Sequence, residues 1–196
     1  KIKLFIKLFF SFKMIYILVA LEEELPSNVK LPDNYTVIYT DIGKINATYT
    51  TCKIINIYNP EKIINYGTVG SINPNIIGLV QPGKIVQRDM IADPWAARGV
   101  TPQEQGNLNA DIVLDTKNQI TLGTGDSFVQ QLEDWFIEKN IDIVDMEAYG
   151  IAKVCIKENV PFMCYKYVSD FADKDAAKNW KQTVSLGYEQ FLHVLN

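Results

Sequence analysis

The chain has 196 residues, of which 47% are hydrophobic and 21% are charged, and its formal net charge at pH 7 is −4. This length fits one domain with a sizeable core, and the composition is ordinary for a globular protein. The acidic balance, without a long basic run, argues against nucleic acid as a partner.

Residues 1–13 are apolar with interspersed lysines, and we expect them to be an N-terminal extension outside the fold. Lys7 and Lys13 interrupt the apolar run, which is too short to span a bilayer, and no small-residue cleavage site precedes Glu22. The sequence therefore predicts a folded domain at residues 14–196 and no membrane partner.

The first predicted strand, residues 14–20, is a continuous apolar run, which is typical of a strand covered on both faces. Three acids follow at residues 22–24, and a solvated helix start explains Glu22 and Glu23. A phosphate-binding enzyme would instead place glycines and a cation here, because phosphate needs free N–H groups and positive potential. The glutamates therefore argue against phosphate as a ligand.

The next predicted elements are an alternating outer strand at residues 35–40 and a helix that Pro60 stops. The apolar face predicted for this helix comprises Ile45, Tyr49, Cys52 and Ile55. A short strand at residues 62–65 then runs into residues 66–71, where glycines and Thr68 would let the backbone approach a ligand closely.

In the second half, the turn at Pro82 and Gly83 leads into a strand at residues 84–90. Residues 92–109 lack periodicity, and a loop of this length is usually functional or contacts a partner. The remaining predicted elements are a strand at 120–122, helices at 128–139 and 147–158, a strand at 161–168 and a C-terminal helix from about Asp175. The apolar side of that last helix carries Trp180, Val184, Tyr188, Phe191 and Leu192. Alternating strands and helices predict an α/β domain whose central sheet is mostly parallel.

The strongest chemical signal lies at residues 141–151, where a β-branched strand turns into a helix. The apolar face of that helix comprises Ala148, Ile151, Ala152 and Cys155. Asp145 and Glu147 stand at the junction, and capping of the helix explains these two acids as well as a site does. Asp170 ends the next strand, however, and acids at two strand ends favour a site, because ligands bind at that edge of an α/β sheet.

The residues available for acid–base catalysis in this sequence are aspartates and glutamates. His193 is the only histidine, so a Ser/His pair or a histidine-rich metal centre is nearly excluded. Cys52, Cys155 and Cys164 lack metal-ligand spacing, and we expect buried, reduced thiols in the cytoplasm. We expect neither a metal nor another cofactor.

Short segments match one family in the same order along the chain: 20–24 (ALEEE), 42–47 (IGKINA), 65–70 (NYGTVG), 124–128 (TGDSF), 144–147 (VDME) and 168–173 (VSDFAD). The chain thereby resembles the 5′-methylthioadenosine/S-adenosylhomocysteine nucleosidases of the nucleoside phosphorylase/nucleosidase superfamily. The resemblance implies a single α/β domain with a mixed central sheet flanked by helices, the three-layer sandwich of that superfamily. It also implies a homodimer that hydrolyses the N-glycosidic bond of these nucleosides, with the long loop closing the neighbour's pocket.

By this resemblance, Asp170 donates a proton to N7 of adenine, Glu147 binds the ribose hydroxyls, and Glu24 positions and deprotonates the attacking water. Carboxylates fit the reaction, because its oxocarbenium-like transition state is positive on the sugar and negative on the base. The other implied substrate contacts are Phe128 (stacked on the purine), Val129 (at its edge), Met146 (under the ribose), Thr68 and Gly70 (at the sugar and water end), Ser169, Asp145 and Lys166.

Two positions depart from the commonest family pattern: Asp145 stands where many members have Glu, and Lys166 where they have Arg. Lysine offers a point charge where arginine offers a fork, so the contacts of Lys166 are expected to differ. The open alternatives are a phosphate-dependent purine nucleoside phosphorylase, a nucleosidase for another nucleoside, and a non-catalytic nucleoside-binding protein. Intact Glu24, Glu147 and Asp170 argue against a binder, which needs no acid and base on opposite sides of the ribose.

Overall fold

A mixed sheet of nine strands and five helices forms the part of the chain that the computed structural model describes, residues 13–104 and 110–195. The strands are β1 (Ile15–Val19), β2 (Tyr35–Tyr39), β3 (Lys62–Ser71), β4 (Leu79–Val80), β5 (Lys84–Gln87), β6 (Ile112–Val113), β7 (Thr121–Thr124), β8 (Ile143–Asp145) and β9 (Phe162–Asp170). The helices are α1 (Lys44–Tyr58), α2 (Asp134–Glu138), α3 (Ala148–Lys157), α4 (Ala176–Thr183) and α5 (Tyr188–Leu195).

The strands lie in the order β2-β1-β3-β8-β7-β5-β6, and β9 pairs with both β3 and β4. The pairs β3–β8, β4–β9 and β5–β6 are antiparallel, whereas the other five are parallel. The prediction of a single α/β domain with a mixed central sheet is therefore confirmed.

The long strand β3 brings the ends of its neighbours together. Leu18, near the end of β1, pairs with Asn65, so the residues after β1 lie level with the middle of β3. Val144 of β8 and Asp170 of β9 both pair with Gly70 of β3. The carboxyl ends of β1, β8 and β9 therefore meet around residues 68–70.

Helices cover both faces of the sheet, which gives three layers. On one face, Ala47 of α1 and Ile151 of α3 pack with Leu18 of β1 in a cluster of buried side chains. On the other face, Phe191 of α5 stacks on Tyr66, with ring centroids 4.2 Å apart. The apolar face predicted for α3 is confirmed, since Ala148, Ile151, Ala152 and Cys155 are each 0% exposed.

The face of α1 that was predicted from its large apolar residues is wrong at its first two positions, although Ile55 packs against the buried cluster beneath the helix. Ile45 and Tyr49 are 81% and 67% exposed, whereas Ala47, Thr51 and Ile54 are buried. The reason lies in helix α3, where a Cβ at Gly150 would be 3.0 Å from the Lys44 carbonyl oxygen. The two helices approach closely at this end of α1, so the small side chain of Ala47 lies against α3, and Ile45 and Tyr49 lie outside the contact.

Other boundaries also differ from the sequence prediction. The C-terminal helix is two helices, α4 and α5, and a Cβ at Gly187 between them would overlap the ring of Tyr167. Helix α2 covers only Asp134–Glu138 of the predicted 128–139, and β5 ends at Gln87. The strand predicted at 62–65 continues through residues 66–71 as β3, and β4 and β6 were not predicted.

The long loop after β5 has no helix or strand in its described part, residues 91–104, apart from a bridge between Ala92 and Ala96. Glu104 ties it to α3 through ion pairs with Lys153 at 2.5 Å and Lys157 at 2.9 Å. Residues 105–109 lie outside the described residues, as do residues 1–12. The predicted extension and the domain limits at 14–196 thus stay predictions. In the described part of the chain no helix is long and apolar enough to cross a membrane.

Candidate active site

A cavity of about 240 Å³ lies where the strand ends converge beside β3. Residues that follow or end β1, β5, β7, β8 and β9 all contribute to its wall. All predicted site residues except Lys166 line it: Glu24, Thr68, Gly70, Phe128, Val129, Asp145, Met146, Glu147, Ser169 and Asp170. The structure thus brings together residues that are up to 146 positions apart in the sequence, from Glu24 to Asp170.

Glu24 is 5% exposed, and three donors hold its carboxylate. The N–H and the hydroxyl of Thr68 both donate to Oε1 at 2.7 Å, and the N–H of Leu21 donates to Oε2 at 3.2 Å. The Thr68 hydroxyl in turn accepts a hydrogen bond from Nε1 of Trp180 at 3.0 Å. The carboxylate therefore occupies an anion site made of two backbone N–H groups and a hydroxyl.

Asp170 is 5% exposed at the end of β9. Its Oδ1 accepts the Ala172 N–H at 2.9 Å and its Oδ2 accepts the Ser169 hydroxyl at 2.9 Å. Burial raises the pKa of Asp170 above its usual value, although these two hydrogen bonds favour the ionised form. A raised pKa is what a carboxyl group needs if it is to donate a proton near neutral pH.

Glu147 lies at the junction of β8 and α3 and is 8% exposed. Its Oε1 accepts the N–H of Gly43 at 2.8 Å, which ties it to the turn before α1. Burial, together with the nearby charge of Asp145, raises the pKa of Glu147 to about 8, against the opposing effect of Lys166. The protonated form of Glu147 therefore persists to higher pH than that of an exposed glutamate.

Lys166 lies behind the cavity wall rather than in it. Its Nζ is 2.8 Å from Oδ2 of Asp145, and the two side chains are 1% and 0% exposed. Burial lowers the pKa of Lys166, but Asp145 raises it more, so the net shift is upward and the amine stays charged. Asp145 also accepts hydrogen bonds from the Thr124 hydroxyl at 2.5 Å and the Ala148 N–H at 2.9 Å. The pair therefore fixes the start of α3, next to Glu147.

Two further residues that line the cavity carry hydrogen bonds that sequence analysis did not foresee. Arg88, directly after β5, is 2% exposed and binds the segment that precedes Phe128. Trp180, expected on the apolar side of the last helix, instead donates to Thr68. A charged residue directly after a buried strand was the available signal for Arg88.

No group of three or more His, Cys, Asp or Glu within residues 13–104 and 110–195 could hold a metal ion. All three cysteines are free, and burial raises the pKa of both Cys155 and Cys164 to about 12. These two thiols are therefore protonated and unreactive at neutral pH.

Buried carboxylates around a cavity at the ends of sheet strands are the arrangement of an α/β enzyme that uses acids for proton transfer. The chain belongs to the phosphorylase superfamily, whose family model matches residues 30–193, and within it to the 5′-methylthioadenosine/S-adenosylhomocysteine nucleosidases.

Two relatives with that nucleosidase name come from Buchnera aphidicola strains of Acyrthosiphon pisum. One is 30% identical over 166 residues, covering 75% of this chain and 72% of the relative, and the other is 29% identical over 168 residues, covering 76% and 72%. A relative from a Marinomonas species is 28% identical over 170 residues, covering 76% of this chain and 73% of its own length.

Solved structures share the fold. A futalosine hydrolase of Helicobacter pylori has a TM-score of 0.83 at 22% identity and covers 94% of this chain and 96% of its own. The 5′-methylthioadenosine/S-adenosylhomocysteine nucleosidase of the same species, solved with butyl-thio-DADMe-Immucillin-A, has a TM-score of 0.82 at 22% identity and covers 93% and 97%. The expected three-layer fold of the nucleoside phosphorylase superfamily is thereby confirmed.

Proposed function

We propose that the protein is a hydrolase that cleaves the N-glycosidic bond of methylthioadenosine and S-adenosylhomocysteine, releasing adenine and the thio-ribose. The observation that carries this proposal is the placement of three buried carboxylates, Glu24, Glu147 and Asp170, in the wall of one cavity. The nucleosidase names of the relatives specify the same two nucleosides.

Asp170 is the proton donor to the base in this proposal. As the glycosidic bond breaks, its electron pair goes to the purine, and protonation of N7 by Asp170 neutralises that charge. The raised pKa of Asp170 keeps the group protonated at higher pH than an exposed aspartate. Its hydrogen bonds with Ser169 and Ala172 fix its direction.

Glu147 binds the 2′- and 3′-hydroxyls of the ribose in this proposal. A sugar that becomes cationic favours the ionised form of an adjacent carboxyl, so the stabilisation by Glu147 is stronger in the transition state than in the substrate complex. The Gly43 N–H holds this group by a hydrogen bond, and the Asp145–Lys166 pair fixes the start of α3 next to it.

Glu24 positions the attacking water and takes its proton. The remaining contacts are proposed from the family resemblance for residues that line the cavity: Thr68 and Gly70 at the sugar and water end, Met146 under the ribose, and Phe128 and Val129 at the purine. The water oxygen bonds to C1′ of the ribose as the bond to the base breaks, while the water proton goes to Glu24 and the Asp170 proton to the base. Proton exchange with solvent then restores both carboxyl groups.

A phosphorylase is the main alternative, and the contacts of Glu24 disfavour it. Phosphate would need the N–H groups of Leu21 and Thr68, and the Glu24 carboxylate already occupies both. The carboxylate would also repel a phosphate anion at short range. Water, which is neutral and has protons to give, suits this position.

Purified protein is therefore expected to release adenine from methylthioadenosine in phosphate-free buffer and to yield the free thio-ribose. The measurement follows adenine by chromatography and identifies the sugar product by mass. A matched reaction with added phosphate should give the same rate and product. Recovery of a sugar 1-phosphate, or strict dependence on phosphate, would contradict the nucleosidase assignment.

We also propose that the protein is a homodimer whose long loop helps to close the cavity of the neighbour. Large apolar side chains are exposed on α1 and in the long loop, with Ile45 and Trp95 each 81% exposed. Ile42, three residues before Ile45, lines the cavity and is 48% exposed, so an exposed apolar side chain also stands at the cavity wall. Sedimentation at micromolar concentration is expected to show a dimer; a monomer with full activity would rule this assembly out.

A cytoplasmic location completes the proposal, and the free cysteines support it because reduced thiols persist in reducing compartments. Fractionation of cells that make the protein, with detection by antibody, tests the location. Recovery in a secreted or membrane fraction would contradict it.

A further inference from the structure

Arg88 is a buried cation in the cavity wall that the mechanism above does not use. Its backbone is fixed on both sides, since its N–H donates to the Thr124 carbonyl at 2.8 Å and its carbonyl accepts from Nε of Arg98 at 2.7 Å. The side chain is 2% exposed, and Lys181, the other cationic side chain in this wall, is exposed. Burying a guanidinium is costly unless it is hydrogen-bonded, so its partners indicate its role.

The guanidinium binds one short segment, residues 125–127. Nη1 donates to the hydroxyl of Ser127 at 2.8 Å, and Nη2 donates to the Gly125 carbonyl at 2.8 Å and to the Ser127 carbonyl. A Cβ at Gly125 would be 2.9 Å from Cγ of Arg88, so the absence of a side chain there lets the arginine lie against the segment. Phe128 and Val129, which line the cavity, follow immediately.

Apart from those with Arg88, the tertiary hydrogen bonds of this segment hold Gly125 and Asp126, its first two residues. Residues 125–129 form no helix or strand, and Phe128 is 46% exposed, so packing fixes its ring only in part. The other contacts of the segment are the turn from the Ser127 N–H to the Gly125 carbonyl, the bond from the Gly125 N–H to the Asp145 carbonyl, and the Asp126 contacts with Asp89 and Lys44. Within the described hydrogen-bond network, only Arg88 donates to the carbonyl oxygen of Ser127, the residue directly before Phe128.

We infer that Arg88 is a positioning residue for base recognition: it fixes the segment before Phe128 and Val129 and so sets which purine the cavity accepts. This inference rests on the proposed nucleosidase function, in which these two residues hold the base. Charge-assisted hydrogen bonds to backbone carbonyls are strong and directional, and without them the segment would sample several positions. If the backbone at Phe128 and Val129 adopts several positions, its hydrogen bonds to the base discriminate poorly between purines that differ in one donor or acceptor.

The test compares wild type with Arg88→Met and Arg88→Lys, using methylthioadenosine and its hypoxanthine counterpart, methylthioinosine. Arg88→Met is expected to raise KM for methylthioadenosine about tenfold, which corresponds to about 1.4 kcal/mol of binding, and to leave kcat within about threefold. The preference for the adenine nucleoside over the hypoxanthine nucleoside is expected to fall about fivefold. Arg88→Lys, which keeps a charge but not the fork, should recover part of the loss. A residue that only stabilises the fold would lower the melting temperature without changing this preference.

Two further variants make the result decisive. Lys84→Met removes a cation from the other end of β5, where it faces Asp111, and should leave KM and the preference within about twofold. Ser127→Ala removes only the Nη1 partner on an exposed residue, so it folds even if Arg88→Met does not, and should raise KM about threefold.

Unchanged KM and preference in folded Arg88→Met, or in Ser127→Ala when Arg88→Met does not fold, would overturn the inference. A fall in kcat alone would also overturn it, because the guanidinium would then act on the reaction rather than on the position of the base. If wild type releases no adenine, the proposed function fails. Titration with free adenine then decides the role of Arg88, with binding about tenfold weaker in Arg88→Met expected.

Discussion

Replacing Asp170 with asparagine is expected to lower turnover about a hundredfold or more while adenine still binds, because an amide cannot deliver a proton to N7. The amide can keep the present geometry. Its oxygen can accept the Ala172 N–H, and the Ser169 hydroxyl can rotate to accept from the amide nitrogen, where it now donates to Oδ2. The loss should therefore appear in kcat, with little change in affinity for adenine.

The measurement is steady-state kinetics beside direct titration with adenine, for wild type and Asp170→Asn. Asp173→Asn is the matched control, since Asp173 is an exposed acid three residues away and should retain nearly full turnover. In wild type, kcat should fall as the pH rises through the raised pKa of Asp170, because the protonated form is the active one. Near-normal turnover of Asp170→Asn would make Asp170 a structural residue.

Glu24→Gln is expected to stop hydrolysis, by about a hundredfold or more, and to leave substrate bound, because the amide cannot take the proton of the attacking water. Its oxygen can still accept both hydrogen bonds from Thr68. The amide nitrogen would face the N–H of Leu21, which loses its acceptor. A stability loss of about 1 kcal/mol follows from that lost bond, too little to unfold a domain.

Single-turnover kinetics and the Kd of an unreactive thio-nucleoside analogue measure the two effects of Glu24→Gln separately. Glu23→Gln is the control, since Glu23 is the exposed neighbour in the same acid run. Glu147→Ala supplies the contrast, because it removes the ribose contact and should weaken analogue binding as well as turnover. Full activity of Glu24→Gln would mean that another group activates the water.

The sequence alone predicted those parts of the fold that depend on neighbouring residues. The apolar run at 14–20 gave the position of β1, and the spacing of apolar residues after Asp145 gave the buried face of α3. Both are local, because alternation and helical periodicity decide which side chains can face a core. The alternation of strands and helices added the α/β fold, and with it the expectation that acids at the ends of β8 and β9 lie at one site. The ordered family segments added the nucleosidase resemblance and the roles of these acids.

The tertiary structure decided what depends on distances between remote segments. Close approach of α1 to Gly150 left Ile45 and Tyr49 exposed, and contact with Tyr167 at Gly187 divided the last helix in two. The positions of the buried charged side chains also depend on remote segments. Lys166 lies behind Asp145 rather than in the cavity, and Arg88 binds a segment 37 residues ahead of it. Neither position follows from local pattern, because a buried charge takes the partners that the packed elements bring within hydrogen-bonding distance.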